Sequence, residues 1–133
     1  MLRVISIVLV VIMGVHGLIH LLGFVAYWPL REVPELAYKT TFLGGRLVLG
    51  AGGTRLYSVV WLLVAIAFVA AGLGLVAEAD WAQSVLVAAT VASLIVIALD
   101  WTPAFRGALV DVAILVLLAV GPQLLRLIAP TSN

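Results

Sequence analysis

Apolar residues fall in four long runs along this chain, and polar residues collect between them. The runs are Val4 to Tyr27, Leu56 to Ala77, Trp81 to Leu99 and Gly107 to Ile128. The hydrocarbon core of a bilayer takes about 20 helical residues to cross, so each run predicts a membrane-spanning α-helix. Inside lipid the backbone must satisfy its own hydrogen bonds, and helices of this length do so. Barrel strands would alternate over about ten residues, and none of the runs alternates.

The connections predict how the helices pack. Glu78 to Asp80 is a tight turn, and so is Trp101 to Arg106 with Pro103 inside it. Short links of this kind make antiparallel neighbours of helices two and three, and of three and four. Trp28 to Arg55 is long, carries Pro29 and Pro34, and ends in Gly44-Gly45 and Gly50-Ala51-Gly52-Gly53. Its middle, Pro34 to Leu49, predicts a short helix at the membrane surface, and its glycines a flexible return into the second span. The expected fold is all-α: one domain over residues 1–133, a four-transmembrane-helix up-down bundle with a long loop between helices one and two.

Composition agrees with that picture. Hydrophobic residues make up 65% of the 133 positions and charged residues 10%, against about 25% charged in a soluble domain. The mean hydropathy is +1.32. Membrane lipids are therefore expected partners. A net charge of +1 gives no concentrated basic face for nucleic acid. The absence of cysteine excludes disulfide exchange, thiolate metal sites and vitamin K reductase-like chemistry.

Arg3 and the apolar stretch after it have the look of a signal peptide. The stretch is about twice a signal core in length, however, and no small-x-small site follows Tyr27, which predicts retention as the first span. Orientation follows from Lys and Arg near the helix ends. Arg31, Lys39, Arg46, Arg55 and Arg106 lie on the long-loop side, Arg3 and Arg126 on the other. Five against two places the loop in the cytoplasm and both termini outside an inner (plasma) membrane. Small pairs four apart, Ala67/Ala71 and Ala70/Gly74 in helix two and Ala88/Ala92 and Ala89/Ser93 in helix three, suit close helix contact.

Chemistry concentrates in few residues. His16 and His20, the two histidines of the chain, are four apart and share one helix face, with Met13, Gly23 and Tyr27 on the same stripe. Asp111 lies near the start of helix four. Counting about 1.5 Å per residue puts His20 roughly 10 Å and Asp111 roughly 6 Å beneath the long-loop face, in one half of the membrane. His16, His20 and Asp111 are the expected catalytic group. Met13, Tyr27, Asp100, Arg46 and Arg106 complete the expected ligand-binding set, with Arg106 in reach of Asp100 or Asp111.

Several readings fit these residues. Imidazole and carboxylate in low dielectric can exchange a proton near neutral pH, which suits general acid–base work on a lipophilic small molecule. The histidines can equally fix helix packing, with Gly17 and Gly23 as contact points, in an accessory or scaffold subunit of a homo-oligomer or a larger membrane complex. Two imidazoles and a carboxylate can also hold a divalent metal. Haem held by two histidines would need a dimer or a non-His partner, since both imidazoles share one helix.

The whole chain resembles a group of small, uncharacterised bacterial four-helix membrane proteins. The resemblance rests on His20-Leu21-Leu22-Gly23, Val33-Pro34-Glu35-Leu36, the Ser58 to Leu63 opening of helix two, and Trp101 through Leu109. In that group the turn between helices three and four reads Trp-Ser-Asp-Ala-x-x-Gly, with Asn further on. Here Pro103 stands in place of the Asp, and Asp111 falls near the Asn. The resemblance implies a fold and no activity. Small multidrug exporters are similar in length and four-helix plan and look like proton-coupled antiporters built around a Glu in helix one, where this chain has only His16 and His20.

Overall fold

A computed structural model describes residues 2–128, without the side chains of 2–6, 8, 9 and 122–128. The Arg3 and Arg126 side chains of the charge count lie outside the described residues. Four helices appear among them: α1 (Leu2–Tyr27), α2 (Gly50–Val76), α3 (Ala82–Leu99) and α4 (Trp101–Ile128). All four are long and apolar enough to cross a membrane, which makes this a multi-pass helical membrane protein.

Large apolar side chains are widely exposed, as lipid-facing ones are, while several polar side chains are buried within the core. On α1 the stripe Met13, His16, His20 and Tyr27 is buried, while Val11, Val15, Leu18 and Leu22 face outward. The spacing of three to four residues that defines this stripe is that of one helix face. Apolar bulk gives no drive between helices in lipid, so close approach and polar contacts hold them together. Each helix packs on the next in sequence, and α1 and α4 share little backbone contact.

Close approach is plainest between α1 and α2. A β-carbon added at Gly23 would lie 2.2 Å from the Trp61 ring, and one at Gly17 would lie 2.9 Å from the Phe68 Cβ. On α3, Ala89 and Ser93 are buried as expected, whereas Ala88 faces outward. On α2, Ala71 and Gly74 are buried, and Ala67 and Ala70 are half-buried at the edge of that face.

The connection between α1 and α2 departs from expectation. In place of a surface helix over Pro34 to Leu49, it folds back as a two-stranded hairpin, β1 (Thr41–Phe42) against β2 (Leu47–Val48). Gly44 and Gly45 turn the chain at positive φ, where a side chain is disfavoured. The tip docks on the bundle through Leu43 N–H to Leu99 O at 3.1 Å, and Phe42 is buried against Tyr27 and Tyr57. Gly50 to Gly53 form the first turn of α2 and are not a flexible return, with Thr54 Oγ1 donating to Gly50 O. Trp101 to Arg106 is the start of α4 and not a turn. Pro103 is tolerated there because the first N–H groups of a helix have no partner inside it.

Candidate functional site

The helix starts and ends act as a ruler. His16 precedes the end of α1 by 11 residues and Asp111 follows the start of α4 by 10, so both lie roughly 15 Å from that end at about 1.5 Å per residue. His20 and Ser93 both lie roughly 10 Å from it on the same count, and Tyr27 and Asp100 lie at the end itself. Pairing follows depth. Asp111 is deeper than the expected 6 Å because α4 begins at Trp101, so its imidazole partner is His16 and not His20.

At the deeper level His16 Nε2 meets Asp111 Oδ1 at 2.9 Å. The other carboxylate oxygen is joined to Ser93 Oγ, which in turn meets His20 Nε2 at 2.8 Å. His20 Nδ1 donates to the His16 carbonyl at 3.0 Å. His16, His20, Ser93 and Asp111 are all buried, Asp111 completely. The two imidazoles stand edge to face with centroids 4.7 Å apart.

Four contacts need four protons. A carbonyl only accepts, so Nδ1 of His20 carries one. Ser93 carries a second, and Nε2 of His16 a third. With only these three, one contact on either side of Ser93 would set acceptor against acceptor. A fourth proton would satisfy every contact, either between Asp111 Oδ2 and Ser93, with Ser93 donating to His20, or between His20 Nε2 and Ser93, with Ser93 donating to Asp111. Two proton transfers in the same direction, one between Asp111 and Ser93 and one between Ser93 and His20, interconvert the two arrangements. Asp111, Ser93 and His20 thus form one continuous, buried hydrogen-bonded chain.

A second polar cluster lies at the helix ends. Both Asp100 oxygens are engaged, one by the Tyr27 hydroxyl and one by the Lys39 ammonium. The Lys39 ammonium also lies 5.4 Å from the centroid of the Phe42 ring. Trp61 separates this cluster from the first, with His20 5.1 Å away on one side and Tyr27 6.3 Å on the other. The buried Trp61 Nε1 is the one buried side-chain polar atom without a hydrogen-bond partner among the described residues. The Tyr57 hydroxyl, packed against the same indole, donates instead to Val96 O at 2.7 Å.

The expected single site thus divides in two, and part of it falls away. Met13 is buried with its Cε toward Gly72 and packs α1 on α2. Arg46 is exposed in the hairpin turn. Arg106 is exposed beside Phe105, 6.0 Å from its ring, and pairs with neither Asp100 nor Asp111. Among the described residues no three His, Asp or Glu side chains are grouped to hold a metal ion. Both nitrogens of His20 are already spent on hydrogen bonds. Ser93, Lys39, Phe42 and Trp61 belong to the site although their residue types gave little signal. Ser93 reads as a small packing residue, and Lys39 as one loop charge among several.

No protein-family model, curated protein or solved structure matches this chain.

Proposed function

We propose that His16, His20, Ser93 and Asp111 form an intramembrane acid–base centre that binds a lipophilic small molecule and exchanges a proton with it. The carrying observation is the hydrogen-bond chain itself, whose contacts require one proton more than its residues hold by default. Such a chain can give a proton at one end while taking one at the other. That is the requirement for general acid–base catalysis.

A further feature supports a bound molecule. The limited backbone packing between α1 and α4 leaves a side on which a molecule dissolved in the bilayer can approach. In this reading the helices run alternately up and down as an up-down bundle in an inner membrane, with the hairpin connection in the cytoplasm. A second reading is favoured by the mutual satisfaction of the four polar side chains: the chain only locks helices, in an accessory subunit of a larger complex.

Native mass spectrometry of the protein released from detergent separates the two. One small molecule of defined mass per chain is expected, lost in the His16→Ala/His20→Ala double variant. A wild-type chain carrying only bulk lipid, or arriving bound to a larger membrane protein, would decide for the accessory reading.

A further inference from the structure

The Asp100 cluster is distinct from the acid–base centre, and its chemistry is different. Asp100 is a buried carboxylate whose counter-charge comes from Lys39 alone among the described residues. The lysine side chain is 35% exposed, while that of Asp100 is 2% exposed. Lys39 reaches in from an irregular stretch, whereas the remaining wall is regular structure. Tyr27 is at the end of α1, Tyr57 is on α2, and Phe42 is on the hairpin. These three rings meet edge to face or tilted in a continuous cluster, with centroids 4.7 to 5.5 Å apart. A cavity of about 360 Å³, lined by Lys39, Phe42, Leu99, Asp100 and Trp101, adjoins the pair. That volume lies within the roughly 300–1,000 Å³ of ordinary ligand sites. The exposed Trp101, Leu43 and Gly44 of its lining carry it to the surface.

A desolvated carboxylate beside aromatic faces is the recognition chemistry of organic ammonium ions. Here the arrangement already holds an ammonium group on an alkyl stem. We propose that Asp100, with Tyr27 and Phe42, forms a binding site for lipophilic amines in their ammonium form, and that the Lys39 side chain is its built-in occupant. An amine with an apolar tail displaces the Lys39 ammonium toward water and lays its tail in the adjoining cavity beside Leu99 and Trp101. The Tyr27 hydroxyl stays on the second carboxylate oxygen, so the carboxylate keeps a donor throughout the exchange.

An internal occupant taxes the affinity of any competitor by the fraction of time that it holds the site. Removing Lys39 therefore tightens binding, the reverse of what an ordinary contact residue would do. The test titrates dodecylammonium into the protein in nanodiscs of zwitterionic lipid, with empty nanodiscs subtracted and tryptophan fluorescence as the readout. Dodecanol serves as the uncharged control. Saturable binding of the ammonium and none of dodecanol is expected. Lys39→Met is expected to tighten it by about tenfold, the gain for an occupant present nine-tenths of the time, and Asp100→Asn to abolish it. Binding of both probes alike, or a weakening in Lys39→Met, would overturn the proposal. If Asp100→Asn does not fold, the Lys39→Met arm still decides. None of these outcomes bears on the acid–base centre, since no residue of it is altered.

Discussion

Asp111 and Asp100 are both buried carboxylates with both oxygens engaged, yet the means are opposite. Asp111 is roughly 15 Å from the helix ends on the helical rise, beyond the reach of a charged side chain kept partly in water. Its partners are two groups that share protons, His16 and Ser93. Asp100 lies at the helix end, where a lysine can extend in while a third of its side chain stays exposed. A charge taken fully out of water is costly unless it is paired or neutralised. Depth thus selects the partner: hydrogen-bonding imidazole and hydroxyl groups far inside, a lysine ammonium at the rim.

The sharpest way to break this contrast is at Asp111. Asp111→Ala strands the His16 N–H, a buried donor at about 1–3 kcal/mol, and leaves the space of the carboxylate empty, while Ser93 keeps His20 Nε2 as its acceptor. A loss of about 2 kcal/mol or more follows, read by unfolding in mixed micelles. Asp111→Asn is different, because its carbonyl accepts from His16 and its amide donates to Ser93, which then donates to His20. It reproduces the arrangement with the proton on Asp111 and is expected within about 1 kcal/mol of wild type. Equal losses in the two variants would mean that the carboxylate needs its charge, and the proton count would fail.

Next in size is the contact that sets the separation of α1 and α2. Gly23→Ala drives a methyl into the Trp61 ring, and overpacking of this kind costs about 1–3 kcal/mol. Because Trp61 also touches His20 and Tyr27, the substitution reports on both clusters at once. Trp61→Leu in the Gly23→Ala background should recover most of the loss. No recovery would place the strain elsewhere on α1.

What the sequence made legible was set by periodicity and rise. Four apolar runs read directly as spans, and the i, i+4 histidines read directly as one face. Shared depth followed from counting, but the count began at Gly107, because Pro103 looks like a breaker when it is in fact within the first turn of α4. That shift of six residues made Asp111 look shallower than His20, whereas it lies level with His16 and bonds it. The hairpin was illegible because two-residue strands carry no periodicity. Lys39 was illegible because nothing local distinguishes it from Arg31, Arg46 or Arg55. Its role comes from the hairpin that follows it and from Thr54 Oγ1, which donates to its carbonyl as well as to Gly50 O.

The smallest expected effect tests the deeper half of the contrast most cleanly. Arg106 lies five residues before Asp111 on α4, and from the sequence it was an expected partner of that carboxylate. The structure turns it outward onto Phe105 instead. If the hydrogen-bond chain neutralises Asp111 from within, the guanidinium adds nothing, and Arg106→Ala stays within about 0.5 kcal/mol of wild type like other exposed substitutions. The same unfolding assay at low and high salt adds a second reading, since a surface cation acting on a distant carboxylate is screened by ions. A salt-dependent loss well above that level would mean that Asp111 carries a charge which the network leaves unbalanced. The difference between the two carboxylates would then be one of distance alone and not of chemistry.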